Sequence, residues 1–465
     1  MDAAEYDLIV IGAGAVGENV ADRAVQGGLT VAIVESELVG GECSYWACMP
    51  SKVLLRAGAA RRGAHDAPGA GSPGAVDVAA VLRRRDEIVH EWNDSSQVEW
   101  LQGAGIDLVR GHGRITGERE VTVDSGQVLR ARHAVAVCTG SAALLPDIPG
   151  LKDAAPWTSR EATAVRQVPE SLVILGGGVV ACEMATAYAS FGCAVTVLAR
   201  SGLLGGLEPF AGDRVAGALR GAGADVRTGV GVEGIHRDGG RVTVELDDGS
   251  RVAASEILVA TGRTPRTGDV GLEVVGLEPG AWLDVDDTMR VRGSEWLYGV
   301  GDVTRRALLT HQGKYQARAA GDVIAARAHG EAVDDAPWGR HVATADHAAV
   351  PQVTFTDPEV ASVGLTEAEA RKAGLSVRVL DYDLGWVAGA STHSSRYEGM
   401  ARAVVDDDRG VLVGATFVGP DIAELLHSAT IAIVGEVPLA RLWHAVPSYP
   451  TLSEVWLRWL EAYGR

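Results

Sequence analysis

Cysteine is scarce in this chain: Cys43, Cys48, Cys138, Cys182 and Cys193 are all that 465 residues hold. An odd, sparse set does not make the disulfide framework of a secreted protein. No apolar run approaches the ~18 residues that a membrane-crossing helix needs, so no membrane is expected as a partner. The opening MDAAEYDLIVIGAG has neither a basic start nor a cleavable apolar stretch, which points to a reducing cytoplasm. Basic charge is in deficit as well, with 42 Lys and Arg against 61 Asp and Glu and a net charge of −19. Such a field repels polyanions and excludes nucleic acid as the main partner. Phenylalanine is down to four residues, whereas glycine reaches 59, the signature of many tight turns and close backbone approaches. Hydrophobic residues at 47% and charged residues at 22% are globular values, and the length suffices for two to four domains.

Asp7-Leu8-Ile9-Val10-Ile11 reads as one buried strand and runs into Gly12-Ala13-Gly14-Ala15-Val16-Gly17. A helical pattern follows from Glu18 to about Gln26, then a second strand, Thr30-Val31-Ala32-Ile33-Val34, ends at Glu35. This is a dinucleotide fingerprint in its required context. Gly12, Gly14 and Gly17 permit the turn and the pyrophosphate approach, the helix start faces the phosphates, and Glu35 accepts from a ribose hydroxyl.

The pattern recurs. Ser171-Leu172-Val173-Ile174-Leu175 leads into Gly176-Gly177-Gly178-Val179-Val180-Ala181, a helix follows, and a strand over 194–198 ends at Ala199-Arg200. Cys138-Thr139-Gly140-Ser141 and Ala260-Thr261-Gly262-Arg263 are a further matched pair, each closing an apolar strand. The repeat implies two dinucleotide domains, each with its own nucleotide. In the second, Arg200 replaces the acid, which suits a 2′-phosphate and favours NADPH over NADH.

Residues 61–74 read as a polar Gly/Pro-rich loop, and the pattern from about 75 to 102 is helical, with Trp92 and Trp100 as packing residues. Two β-meanders are expected near 105–137 and 225–260, and the last part of the chain mixes strands with helices.

Cys43 and Cys48 lie five apart, directly after the first fingerprint, and no second ligand pair at the usual spacing supports zinc. On an ideal helix their Cα atoms would be ~8–9 Å apart, whereas a disulfide needs less than ~7 Å. If the pair closes, the segment departs from an ideal helix, and Pro50 supplies a cause by removing the bond to the Trp46 carbonyl. A disulfide held in constrained geometry is reducible, which suits redox turnover.

Together these motifs resemble the flavin-dependent pyridine nucleotide–disulfide oxidoreductases, among them glutathione reductase, dihydrolipoamide dehydrogenase and mercuric reductase. The resemblance spans nearly the whole chain. Besides both fingerprints and both Thr-Gly signatures, it includes Gly40-Gly41-Glu42-Cys43 through Cys48-Met49-Pro50-Ser51-Lys52. Farther on come Trp296-Leu297-Tyr298-Gly299-Val300-Gly301-Asp302 and Phe355-Thr356-Asp357-Pro358-Glu359. It implies an α/β fold with two Rossmann-like domains for FAD and NAD(P) and a C-terminal α+β dimerisation domain. The implied boundaries are an FAD domain over 1–148 completed by 268–343, an NAD(P) domain over 149–267, and an interface domain over 344–465.

By the same resemblance, Gly12, Gly14, Gly17, Glu35, Thr139, Gly140 and Asp302 would serve FAD. Gly176, Gly178, Ala181, Arg200 and Gly262 would serve the pyridine nucleotide. Cys48 would face the flavin ring as a charge-transfer thiolate, Cys43 would attack the substrate, and Lys52 would sit near the flavin N5, paired with Glu183. The implied activity passes electrons from NADPH through FAD to the Cys43–Cys48 disulfide and on to a small disulfide or similar acceptor, in a homodimer.

The sequence also departs from the family. Its disulfide reductases carry His-Pro-Thr near the C-terminus with a glutamate five residues after the histidine, an acid–base group supplied by the partner subunit. Here the segment is Ser448-Tyr449-Pro450-Thr451-Leu452-Ser453-Glu454, with Tyr449 at the histidine position and Glu454 kept. A phenol donates a hydrogen bond but is no cationic acid at neutral pH. His444 is a weaker substitute, since no spacing rule places it at the cysteines. Mercuric reductase resembles the tyrosine pattern, yet it delivers mercury through a C-terminal cysteine pair, and this sequence has no cysteine after Cys193. Two alternatives therefore stand beside the disulfide reductase: a quinone, dye, oxygen or metal-ion reductase, and a nucleotide-sensing protein with vestigial redox chemistry.

Overall fold

A computed structural model describes residues 4–464. The chain divides into two compact units, each assembled from three stretches. The first comprises Met1–Pro50, Asp86–Ala143 and Arg263–His347; the second comprises Ser51–Arg85, Leu144–Gly262 and Ala348–Arg465.

The first unit is built on a seven-stranded sheet. Strand Ala4–Ile11 lies parallel between Val31–Glu35 and Val128–Val137, and Ile106–Arg110 extends the sheet beyond Val31–Glu35. Ile106–Arg110 therefore joins the parallel layer, and the antiparallel meander begins only at Gly113–Gly117. Leu8, Ile9, Val10, Ala32 and Ile33 are fully buried, as strands covered on both faces require. Helices Ala15–Gln26 and Thr310–Ala328 pack together, with glycines at the crossing: a Cβ at Gly313 would come within 2.6 Å of Val16.

The second unit repeats the parallel theme in a four-stranded sheet of order Asp225–Thr228, Ala194–Ala199, Ser171–Leu175 and Glu256–Val259. A three-stranded antiparallel sheet follows, Val232–Asp238, Arg241–Leu246 and Arg251–Ala254, whose alternating residues bury Val242, Val244 and Leu246. The C-terminal stretch forms a five-stranded antiparallel sheet around Phe417, backed by helices Leu425–Val434 and Val455–Tyr463.

Three local expectations need correction. Helix Cys48–Asp66 runs well into the expected 61–74 loop, because Arg and Ala sustain it until Pro68 ends it. The 75–102 pattern is interrupted: helices Val78–Ile88 and Ser95–Gly103 flank a turn in which His90, Glu91 and Trp92 all take positive φ. Trp100 is 46% exposed and is no core residue.

Among the described residues, no helix is long and apolar enough to cross a membrane. No cluster of three or more His, Cys, Asp or Glu among them could hold a metal ion.

Candidate active site

Both glycine turns fall where strand order reverses, the crevice in which open α/β sheets bind ligands. In the first unit, Gly12 takes φ +100°, and a Cβ there would sit 2.6 Å from the Cys138 carbonyl oxygen. At Gly17 a Cβ would lie 1.9 Å from the Gly12 carbonyl oxygen, so the turn tolerates no side chain. Helix Ala15–Gln26 starts from Gly14 with no side-chain cap, leaving its first N–H groups to an outside acceptor. At the end of Val31–Glu35, the Glu35 carboxylate accepts from the Ala13 and Glu37 N–H groups at 2.7 Å each. Burial nonetheless pushes the Glu35 carboxyl upward, against those two donors. A bare turn, an uncapped helix and an acid at the strand tip fit the pyrophosphate and ribose of FAD. Asp302 lies in the turn Gly301–Thr304, is pushed up by burial, and accepts from the Ser141 hydroxyl at 2.5 Å.

The second unit repeats the construction. Gly176 takes φ +125°, and a Cβ there would lie 2.2 Å from the Ala260 carbonyl oxygen. Gly178 borders open space and begins helix Val179–Ser190 with no side-chain cap, and Ala181 is buried against the sheet. Arg200 is exposed just past Ala194–Ala199, where the first unit has Glu35. The Thr-Gly signatures each enter one strand of a small antiparallel pair, Ser141–Ala143 with Arg263–Pro265. Thr139 donates to the Arg266 carbonyl at 2.7 Å, and the Gly262 carbonyl accepts from the Leu144 N–H at 2.9 Å.

The cysteines sit in the first unit on either side of a break. Cys43 belongs to the short helix Gly41–Tyr45, which ends at Trp46, and Cys48 opens Cys48–Asp66. The departure from an ideal helix thus falls at Trp46 and Ala47. Pro50 stands in the first turn of the second helix, where its missing N–H needs no partner. Both thiols are half-buried. Cys43 hydrogen-bonds Cys48, and that bond, with burial and the neighbouring sulfur charge, raises its pKa, while Thr310 and Lys314 oppose the rise. Cys48 shares a 3.2 Å hydrogen bond with the Thr310 hydroxyl. By contrast Cys138, Cys182 and Cys193 are buried, and burial pushes their thiols up, to about 12 for Cys182 and about 11 for Cys193.

Helix Cys48–Asp66 also carries Lys52, whose ammonium donates to both Glu183 oxygens at 3.1 and 2.8 Å in the second unit. Glu183 is 4% exposed and also accepts the Phe355 N–H at 3.0 Å, and Lys52 Nζ lies 4.9 Å from the Phe355 ring centre. Tyr449 is 77% exposed. Glu454 is buried and accepts the Ala388 N–H at 3.0 Å. His444 is exposed.

Sequence reasoning passed over Thr310 and Lys314, and gave no role to Glu42, Ser141, Arg263 or Phe355, although the last four lie inside quoted motifs. Only proximity to the quoted motifs could have flagged Glu42 and Arg263; nothing in the sequence ties Thr310 to Cys48.

Two dinucleotide-type turns, a half-buried cysteine pair and a buried Lys–Glu contact define a two-nucleotide redox flavoprotein. Residues 6–326 match the pyridine nucleotide-disulphide oxidoreductase family, and residues 350–459 match its dimerisation domain, so the chain belongs to that family. It is an FAD-dependent oxidoreductase that uses a pyridine nucleotide, and the dimerisation domain supports a homodimer. It is 32% identical over 469 residues to a dihydrolipoyl dehydrogenase of Haloferax volcanii, covering 96% of this chain and 94% of that one. It is 33% identical over 466 residues to a mercuric reductase of Streptomyces lividans, covering 97% and 94%. In fold it matches the HOCl-induced flavoprotein disulfide reductase RclA of Escherichia coli, solved as a Cu(II) complex, with TM-score 0.84, 23% identity and full coverage of both chains.

Proposed function

We propose that this oxidoreductase draws electrons from NADPH and delivers them through the Cys43–Cys48 pair to a small disulfide or similarly soft acceptor. The observation that carries the reading is the hydrogen-bonded contact of two half-buried thiols in the unit that bears the first dinucleotide turn. FAD, when bound, would supply the two-electron redox chemistry that links the nicotinamide to the cysteines. Gly12, Gly14, Gly17, Glu35, Thr139, Gly140 and Asp302 would hold it. Gly176, Gly178, Ala181 and Gly262 would hold the pyridine nucleotide, with Arg200 as a cation for a 2′-phosphate.

The chemistry at sulfur belongs to the chain. The Cys43 thiolate attacks one sulfur of the acceptor disulfide, forming a mixed disulfide and releasing one thiolate. Cys48 then attacks Cys43, releasing the second and closing Cys43–Cys48. Two cysteine thiolates are oxidised, one disulfide is reduced, and each leaving sulfur takes a proton. Thr310 holds Cys48 through its hydroxyl, and Lys314 favours the charged form of Cys43. Glu183 keeps Lys52 in a defined position as a cation for the electron-rich ring. The large exposed side chains Trp386, Ile431, Val446 and Tyr449 in the dimerisation segment support a homodimer, with Tyr449 offered to the partner's cysteines. An odd, sparse set of five cysteines suits a reducing cytoplasm.

The test is thiol trapping. Anaerobic NADPH added to the oxidised, FAD-loaded protein should expose two alkylatable thiols, at Cys43 and Cys48. No new thiol would show that electrons leave before reaching the pair. The engagement of Glu454 by the Ala388 N–H favours a second reading of that outcome, a quinone, dye, oxygen or metal-ion reductase, which needs no acid–base partner at sulfur.

A further inference from the structure

Glu42 immediately precedes Cys43 in a helix only five residues long, Gly41–Tyr45. A helix this short has no stability of its own, and its cap, Gly40, offers no side-chain acceptor. What anchors it is charge. Glu42 Oε1 accepts from Arg266 Nη2 at 2.8 Å, and Oε2 accepts from Arg263 Nη2 at 3.1 Å. Both guanidiniums are rooted in the Arg263–Pro265 strand or just past it, and both grip the partner strand. Arg263 donates to the Ser141 hydroxyl at 2.8 Å and to its carbonyl at 2.6 Å, and Arg266 donates to that carbonyl at 3.2 Å. The Ser141 hydroxyl in turn donates to Asp302. Two cations thus lie between two carboxylates, one beside Cys43 and one in the turn assigned to the flavin.

We propose that Glu42 is a positioning residue for Cys43: clamped by Arg263 and Arg266, it holds the thiol-bearing helix and balances the charge that sets the Cys43 thiolate fraction. The proposal rests on reading Cys43 as the thiol that meets the acceptor. Glu42 is adjacent in sequence to the thiol and 20% exposed, so water screens its charge only in part. A shift of one pKa unit at the thiol changes the thiolate population roughly tenfold. The other charged groups on elements around this helix are Lys314 on Thr310–Ala328, Glu18 on Ala15–Gln26, and Asp94 and Arg110. Every variant below leaves them intact.

The clamp makes a prediction of opposite signs. Glu42→Gln leaves the two guanidiniums with Asp302 as the remaining carboxylate and should move the pH profile of Cys43 alkylation downward, with roughly tenfold faster reaction near neutrality. Arg266→Gln leaves the carboxylate short of a partner and should move the profile upward by a similar factor. The double variant should return toward the parent. The measurement is iodoacetamide alkylation of the reduced, FAD-loaded protein over a pH series, with each site quantified by mass spectrometry. Loosening of the helix alone would speed both single variants, so shifts of the same sign, or none, overturn the proposal. If Glu42→Gln does not fold, the direction of Arg266→Gln decides by itself, since Arg266 is 37% exposed. Faster labelling at Cys48 than at Cys43 in the parent would instead overturn the reading of Cys43, and the clamp with it.

Discussion

Lys52 and Glu183 form one contact seen from two unequal sides, and that inequality is measurable. The Glu183 side chain is 5% exposed and the Lys52 side chain 36%. Lys52→Met keeps the aliphatic stem but strands a buried carboxylate with the Phe355 N–H as its remaining backbone donor. Removing one partner of a fully buried pair costs about 3–5 kcal/mol, and the open Lys52 side lowers this to about 2 kcal/mol. Glu183→Gln keeps an acceptor for the Phe355 N–H and frees an ammonium that reaches water, so it should cost about 1 kcal/mol or less. At about 2–4 °C per kcal/mol for a large domain, calorimetry of the FAD-loaded protein should show Tm falling by about 4–8 °C for Lys52→Met and about 2 °C for Glu183→Gln. The double variant should lose less than the sum. Equal losses, or a larger loss for Glu183→Gln, would refute the claim that the cost lies in desolvating the carboxylate.

Burial pushes Glu18 up to about 7, with Glu35 adding to the shift and Lys314 opposing it. The folded protein therefore holds a proton that the unfolded chain releases near 4.5, so this group's stabilisation is complete below about 4.5 and lost as pH rises through about 7. Glu18→Gln should gain stability over the parent at pH ~8, by at most ~3 kcal/mol, and lose that advantage toward pH ~5. A Tm difference independent of pH would count against it. Gly176→Ala should fail to fold properly because its Cβ meets backbone, whereas Gly178→Ala should keep the parent Tm and raise KM for NADPH with kcat little changed. An unchanged KM would remove Gly178 from the nucleotide's path. Arg200→Glu should lower kcat/KM for NADPH roughly tenfold and leave NADH less affected, since it removes a cation suited to a 2′-phosphate. Steady-state kinetics with both nucleotides would show it, and equal effects would take Arg200 out of that site. Tyr449→His should raise turnover with a disulfide acceptor by roughly 10²-fold if acid–base help is what is missing. Unchanged turnover in a folded dimer would show that it is not.

What the amino-acid sequence determined by itself was everything written in local periodicity and in glycine. An apolar strand, a turn too tight for any Cβ, a helix and a second strand are consecutive, so 7–35 and 171–200 announce both glycine turns without reference to the rest of the chain. The cysteine pair was legible for the same reason, being five residues apart and next to a fingerprint. Helix geometry required a break only if the cysteines close into a disulfide and blamed Pro50 for it; the break instead falls at Trp46 and Ala47, because Pro50 is tolerated in a helical first turn. Helix Cys48–Asp66 outran its expected end because composition marks loops only on average, while Pro68 sets the actual stop.

Tertiary structure alone decided which charges meet. Thr310 reaches Cys48 across 262 positions, Arg263 and Arg266 reach Glu42 across 221 and 224, and Phe355 reaches Glu183 across 172. No local pattern can encode such contacts, because they depend on how strands far apart in the chain are ordered in their sheets. The same holds for Glu454, kept in the sequence five residues after Tyr449, whose carboxylate receives the Ala388 N–H. A buried carboxylate takes whichever donor the folded backbone brings to it, and that donor is set by the packing of the whole unit.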